Sequence, residues 1–273
     1  MGKKLSRVNA AGAVCEWSPH SRRRKAAKHG AIKGGHFIDL GDSPFARSFE
    51  HSFGKIDHRG ATFLDLLDAF IKSVTHDSNS AGELIKFLAS RPNFVWLWAA
   101  SLLLRSPGTR EGFHQSAAAY GAPPCNNVAS SSIESYWERA KYHAGIRAGK
   151  RRFGIYVSKG AEFYFGDGLS ESFIPSLQTS WVQGGCYIPI LPNACLWIPT
   201  PQSERKSFIS YCDDTVVLRI NKFTAHASCK ELFYRSQKPS DEFIQMLGVF
   251  DAYPSDCAIQ SDLAAIYESG RQV

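Results

Sequence analysis

The hydrophobic pattern of this chain changes period near residue 150. Upstream, Phe63, Leu66, Leu67, Phe70 and Val74 recur at helical spacing and define one apolar face. Downstream, Phe153-Gly154-Ile155-Tyr156-Val157 is rich in strand formers and alternates in character. A chain that places helices first and strands second is expected to fold as α+β. The specific expectation is an N-terminal helical half packed on a C-terminal antiparallel sheet with a flanking helix.

The helical half reads as follows. His36 to Leu40 is a short strand and Gly41-Asp42-Ser43-Pro44 a turn, with Ser43 and Pro44 capping a helix that begins near Phe45. A second helix covers Gly82 to Leu104 and carries Pro92, so it either kinks or restarts there. Arg105-Ser106-Pro107-Gly108 is a break, Glu111 to Ala119 a shorter helix, Gly121 to Asn127 a loop, and Ser130 to Gly149 a further helix. In the β-rich half, Ser158-Lys159-Gly160 joins the first strand to Ala161–Phe165 as a hairpin. Cys186–Leu191 and Ala194–Ile198 pair around Pro192-Asn193, and Thr215 to Leu218 adds a strand. Asn221 then caps a helix reaching about Tyr234, and a last helix lies near Ser261 to Glu268.

The 273 residues, 44% of them hydrophobic, suffice for a sizeable core and exclude wholesale disorder. The domain reading is a basic arm over 1–35 and one α+β domain over 36–273. Within the latter, 45–150 is helical, 151–220 β-rich, and 221–273 carries the C-terminal helices.

Charge is segregated. The formal net charge is +7, yet residues 1–35 hold nine Lys/Arg against Glu16 alone and carry +8, leaving the remainder at −1. Within that segment Arg22, Arg23, Arg24 and Lys25 are contiguous. A second run, Arg139, Lys141, Arg147, Lys150, Arg151 and Arg152, is uninterrupted by any acid. Basic runs attract phosphate backbones; they also occur as solvated leaders and as helix C-termini that complement the dipole. Both readings are open at this point, and His143 within the second run shares them.

Seven cysteines, an odd number without C-x-x-C, point to reduced thiols and a cytoplasmic setting rather than to a disulfide framework or a zinc knuckle. The longest apolar run, Phe94 to Leu104, is too short for a membrane span and reads as a buried helix. No G-x-S-x-G, H-E-x-x-H, P-loop or dinucleotide fingerprint occurs.

Three groups of residues suit chemistry. Glu50, Asp57 and His58, with His51 nearby, fall along one predicted helix, where oxygen and imidazole ligands suit Mg²⁺ or Mn²⁺ and also Zn²⁺. Such an ion would activate water for phosphodiester hydrolysis. The same residues also suit a solvated polar face, with Gly54 and Gly60 marking close packing or a break. Asp167, between two glycines, serves as a metal ligand or base, or as an ordinary turn residue. Arg105, ending the most apolar helix, grips a phosphate or carboxylate bidentately, or else caps its helix or pairs with Asp167 or Glu50. The expected function is a nucleic-acid-directed hydrolase, a metal-dependent nuclease. The alternative is a non-catalytic module that binds nucleic acid or a protein partner.

Several short motifs occur in a recognisable order: Glu50 and Asp57 seven apart, Arg105-Ser106-Pro107, Gly166-Asp167-Gly168-Leu169, Ile188-Pro189-Ile190-Leu191-Pro192, Arg219-Ile220-Asn221 and Phe233-Tyr234-Arg235. Over roughly residues 45–240 this order resembles the domain of unknown function 4238 family, found widely in bacteria. That family shows Arg-x-Pro, Ser-Asp-Asn-Pro after a hairpin, a Pro-Leu-x-Pro strand and a hydrophobic-Asn helix start. Here only Asp167 survives from the tetrapeptide, and Asp57 stands where the family carries Glu. Trp17-Ser18-Pro19-His20 is a remnant of its N-terminal His-x-x-Pro-x-x-Tyr-Leu signature. The family has no agreed activity. The resemblance therefore implies a fold, draws attention to Asp167, and through its sporadic bacterial distribution implies a defence or toxin-like setting.

Overall fold

The computed structural model describes residues 5–9, 14–17, 37–38, 47–48, 51–73, 79–91, 93–121, 126–146, 153–166, 186–198, 207–228 and 231–247. In chain order the elements begin with strands β1 (Leu5–Asn9), β2 (Val14–Trp17), β3 (Phe37–Ile38) and β4 (Arg47–Ser48). Helices α1 (His51–Ser73), α2 (Asn79–Ala89), α3 (Phe94–Arg105), α4 (Pro107–Ala119) and α5 (Asn126–Ile146) follow. Then come β5 (Gly154–Ser158), β6 (Phe165–Gly166), β7 (Cys186–Leu191), β8 (Ala194–Ile198) and β9 (Phe208–Cys212). The described chain closes with α6 (Asp214–Ala227), β10 (Glu231–Tyr234) and α7 (Asp241–Gln245). This is an α+β protein with N-terminal helices. Its chain divides into two units, Ile32–Arg151 and a second built from Met1–Ala31 with Arg152–Val273, where the sequence suggested one domain behind an arm.

In the helical unit, α1 turns Phe53, Ile56, Gly60, Phe63 and Leu67 inward at helical spacing. Phe63 meets Phe94 and Trp98 edge-on at 5.7 and 5.4 Å between ring centres, and Phe87 meets Phe94 at 5.3 Å. Such edge-to-face pairs align ring edges with ring faces and add to simple area burial. Gly60 sits against Trp98, where a Cβ would overlap the indole ring. The glycine is thus the close-packing kind, and it lets α1 approach α3. The α2 helix ends at Ala89 and α3 begins at Phe94, so the expected long helix restarts instead of kinking.

Several helix starts differ from expectation: α2 begins at Asn79 rather than Gly82, and α5 covers Asn126–Ile146 rather than starting at Ser130, so the expected loop over Gly121 to Asn127 is shorter. The first helix begins at His51, and residues 47–48 pair with 37–38 as strands. Next, α4 begins at Pro107, because Ser106 accepts a hydrogen bond from the Thr109 N–H at 3.2 Å and proline suits the first helical position. In the other unit, α6 begins at Asp214, since the Asp213 carboxylate accepts from the Val216 N–H at 3.0 Å. Thr215 to Leu218 is therefore helix and not strand, Asn221 lies inside the helix and is not its cap, and residues 231–234 form a strand.

Among the described residues, the second unit contains two sheets. One is antiparallel with order β2-β1-β10-β6, in which Ser6 faces Tyr234 and Leu232 faces Gly166. Two of its strands thus come from the segment that the sequence suggested was an arm. The other sheet has order β7-β8-β5-β9 and is mixed rather than antiparallel, because β5 pairs with β9 in parallel, Gly154 opposite Phe208. The expected Cys186–Leu191 and Ala194–Ile198 pair forms, with a register irregularity between Pro189 and Leu191. The expected hairpin through Ser158-Lys159-Gly160 does not. Strand β5 is already paired on both edges, by β8 and β9. The backbone groups of 161–164 meanwhile go elsewhere: Asp214 accepts from the Ala161 N–H at 2.8 Å, the Pro192 carbonyl from the Phe163 N–H at 2.7 Å and Asn221 from the Tyr164 N–H at 2.8 Å. Helix α6 packs Val216, Val217, Ile220 and Phe223 into a core with Tyr156, Phe163, Tyr187, Cys195 and Trp197. The expected helix near 261–268 lies outside the described residues.

Candidate functional site

The described part of the first predicted constellation is an ion pair. Asp57 on α1 and Arg105 at the end of α3 meet fork to fork: Arg105 Nη1 donates to Asp57 Oδ2 at 2.7 Å and Nη2 to Oδ1 at 2.5 Å. Arg105 Nε donates to the Ser101 carbonyl at 3.0 Å, and the guanidinium lies 4.6 Å over the Phe53 ring. Both carboxylate oxygens of Asp57 and all three guanidinium nitrogens are thereby engaged, a rigid bidentate arrangement that ties α1 to α3. Asp57 is an internal partner for Arg105 that the sequence reading did not name. His58, the next residue, is exposed.

Glu50 and Asp167 lie outside the described residues, as do Arg22, Arg23, Arg24, Lys25, Arg147, Lys150, Arg151 and Arg152, and the side chains of His51 and His143. Among the described residues no three His, Cys, Asp or Glu gather as a metal-binding group.

Of the second basic run, Arg139 and Lys141 are described, both exposed on α5. Phe113 of α4 stacks on Tyr136 at 5.5 Å between ring centres, and the Arg139 guanidinium lies 5.5 Å over that same Tyr136 ring. The exposed guanidinium thus lies over one face of a tyrosine that Phe113 stacks against. Lys141 pairs with Glu138 at 2.6 Å, which offsets its charge locally. Tyr142, three residues beyond Arg139 and so on the same helical face, is 67% exposed. Arginine and tyrosine side by side can meet phosphate and base respectively.

A polar centre that sequence reasoning missed lies in the other unit. Glu162 is 7% exposed, and its carboxylate accepts from three consecutive backbone N–H groups: Arg235 at 3.0 Å, Ser236 at 2.9 Å and Gln237 at 2.7 Å. The Ser236 hydroxyl adds a fourth donor at 2.8 Å. Asn221 locks the same segment from below, its amide donating to the Glu162 carbonyl at 2.8 Å while accepting from Tyr164. Burial and then the Glu162 charge push the Tyr164 hydroxyl above its usual range. The available signal was an acid in the otherwise apolar stretch Ala161-Glu162-Phe163-Tyr164, since acids are seldom buried unless paired.

Cys212 sits at the end of β9, ahead of Asp213 and Asp214. Burial and then the two carboxylates push its thiol up to about 12. At neutral pH it is protonated and a poor nucleophile. Alkylation followed by mass spectrometry at pH 8 is expected to label Cys212 in the folded protein far more slowly than in urea. Because the folded value is raised, the neutral thiol favours the fold up to its unfolded value near 9, and that contribution falls as pH rises towards 12. Equal labelling rates folded and unfolded would contradict this.

No family model, no curated protein and no solved structure gives a significant match to this chain. No described helix is long and apolar enough to cross a membrane.

Proposed function

We propose that this protein binds nucleic acid, with the exposed face of α5 as part of the contact surface. The observation that carries this reading is the Arg139 guanidinium held over Tyr136, with exposed Tyr142 one turn further on. The basic runs 22–25 and 147–152 of the sequence add sequence-blind attraction to phosphates. Single-stranded nucleic acid suits the surface best, because unpaired bases present faces on which a tyrosine can stack. The cytoplasm, the membership of the domain of unknown function 4238 family and the defence setting belong to this proposal as well.

Hydrolysis is the lesser reading. Asp57 already uses both oxygens on Arg105, so a metal-bound nuclease centre would rest on Glu50 and Asp167 with Mg²⁺ or Mn²⁺.

Fluorescence anisotropy of the full chain with labelled single-stranded RNA, single-stranded DNA and duplex DNA tests the proposal. Affinity is expected to fall steeply with salt, and Arg139→Ala combined with Tyr142→Ala to weaken single-strand binding about tenfold, the scale of one lost stacking contact. Unchanged affinity in the double variant removes α5 from the interface, and no binding at low salt refutes the function. Parallel incubations with Mg²⁺, Mn²⁺ or EDTA read cleavage. Cleavage abolished by Glu50→Ala and Asp167→Ala would restore the hydrolase reading.

A further inference from the structure

The donors around Glu162 form a recognisable device. Three consecutive backbone N–H groups converging on one point make a concave anion-binding nest, and here the Ser236 hydroxyl completes it. The donors belong to an exposed turn, residues 235–238, with Arg235 and Lys238 adding positive charge to the same exposed segment. The carboxylate that fills the nest arrives from the interior on the 161–164 segment, which Asn221 and Asp214 hold in place. A carboxylate and a phosphate present the same chemistry to such donors, and one nest holds one of them at a time.

We propose that the 235–237 turn is an oxyanion site for a phosphate group, and that Glu162 is its built-in occupant. The glutamate holds the site closed at high local concentration, so an external phosphate competes against an intramolecular ligand. This inference is independent of the α5 surface, which lies in the other unit.

The test titrates inorganic phosphate, and separately a nucleoside 5′-monophosphate, into the full-length protein and its Glu162→Ala variant at matched ionic strength. Amide resonances of 235–237 and thermal melting are the readouts. Glu162→Ala is expected to bind at least one probe saturably, about tenfold or more tighter than the parent protein, with shifts centred on those three amides. Comparing the two probes tells free phosphate from a phosphate ester. If the variant is unfolded in chloride, phosphate is expected to restore its helical circular dichroism signal, since a ligand that binds only the folded state stabilises it. The proposal is overturned if the folded variant binds neither probe, if the shifts centre elsewhere, if the parent binds as tightly, or if an unfolded variant is not rescued.

Discussion

Replacing Asn221 with leucine is expected to lower stability by about 3 kcal/mol, the order of magnitude for leaving two buried backbone groups without partners. The side chain is 4% exposed and bridges the Glu162 carbonyl and the Tyr164 N–H, both in a segment outside regular structure. Leucine keeps the branched outline of asparagine, with bulkier methyl groups in place of the amide, and suits a helix interior as well or better. The loss therefore combines the two hydrogen bonds with the overpacking of methyl groups at positions that hold 2.8 Å contacts, and owes nothing to propensity. Urea denaturation of the two proteins measures it. A midpoint within error of the parent would mean that the 161–164 segment finds other partners, and the account of how Glu162 is held would fail. Asn221→Asp keeps one acceptor and loses the donor, so it is expected to fall short of the leucine loss only if charge repulsion with Glu162 stays small.

The second large effect is a contrast between two glycines of one helix. Gly60→Ala is expected to destabilise by about 2 kcal/mol and Gly54→Ala to stabilise by about 0.5–1 kcal/mol. Alanine improves helix propensity equally at both positions. At Gly60, however, the new methyl overlaps the Trp98 indole. Trp98 is 5% exposed and packs edge-on against Phe63, so it has nowhere to swing. At Gly54 a methyl meets nothing within 4 Å. Thermal melts of the two variants settle the matter. Shifts of the same sign at both positions would contradict the close approach of α1 and α3.

These two sites show where sequence pattern runs out. Gly60 reads from sequence as either close packing or a break, because a missing side chain looks the same in both cases. Only the indole of Trp98, 38 residues away, decides between them. Asn221 reads as a helix cap because asparagine is a good one, yet Asp213 caps the helix instead and starts it seven residues before Asn221. A local preference was outcompeted by a nearer carboxylate, and the asparagine was left for a buried role. Glu162 escaped notice because its donors lie more than 70 residues downstream.

Sequence alone determined what depends on near neighbours: the α+β class, the inward face of α1, the buried run of α3 and the pairing of β7 with β8. Periodicity and turn residues encode these within a few residues of one another. Tertiary structure decided what depends on distant partners. It paired Arg105 with Asp57, 48 residues away along the chain. It set β5 between β8 and β9, so that the 161–164 segment could not fold back as a hairpin. It also added two strands from residues 5–17 to a sheet with β10. The physical reason is common to all three. A charge or a backbone hydrogen-bonding group takes whichever partner the fold brings within reach, and spacing along the chain carries no record of that choice.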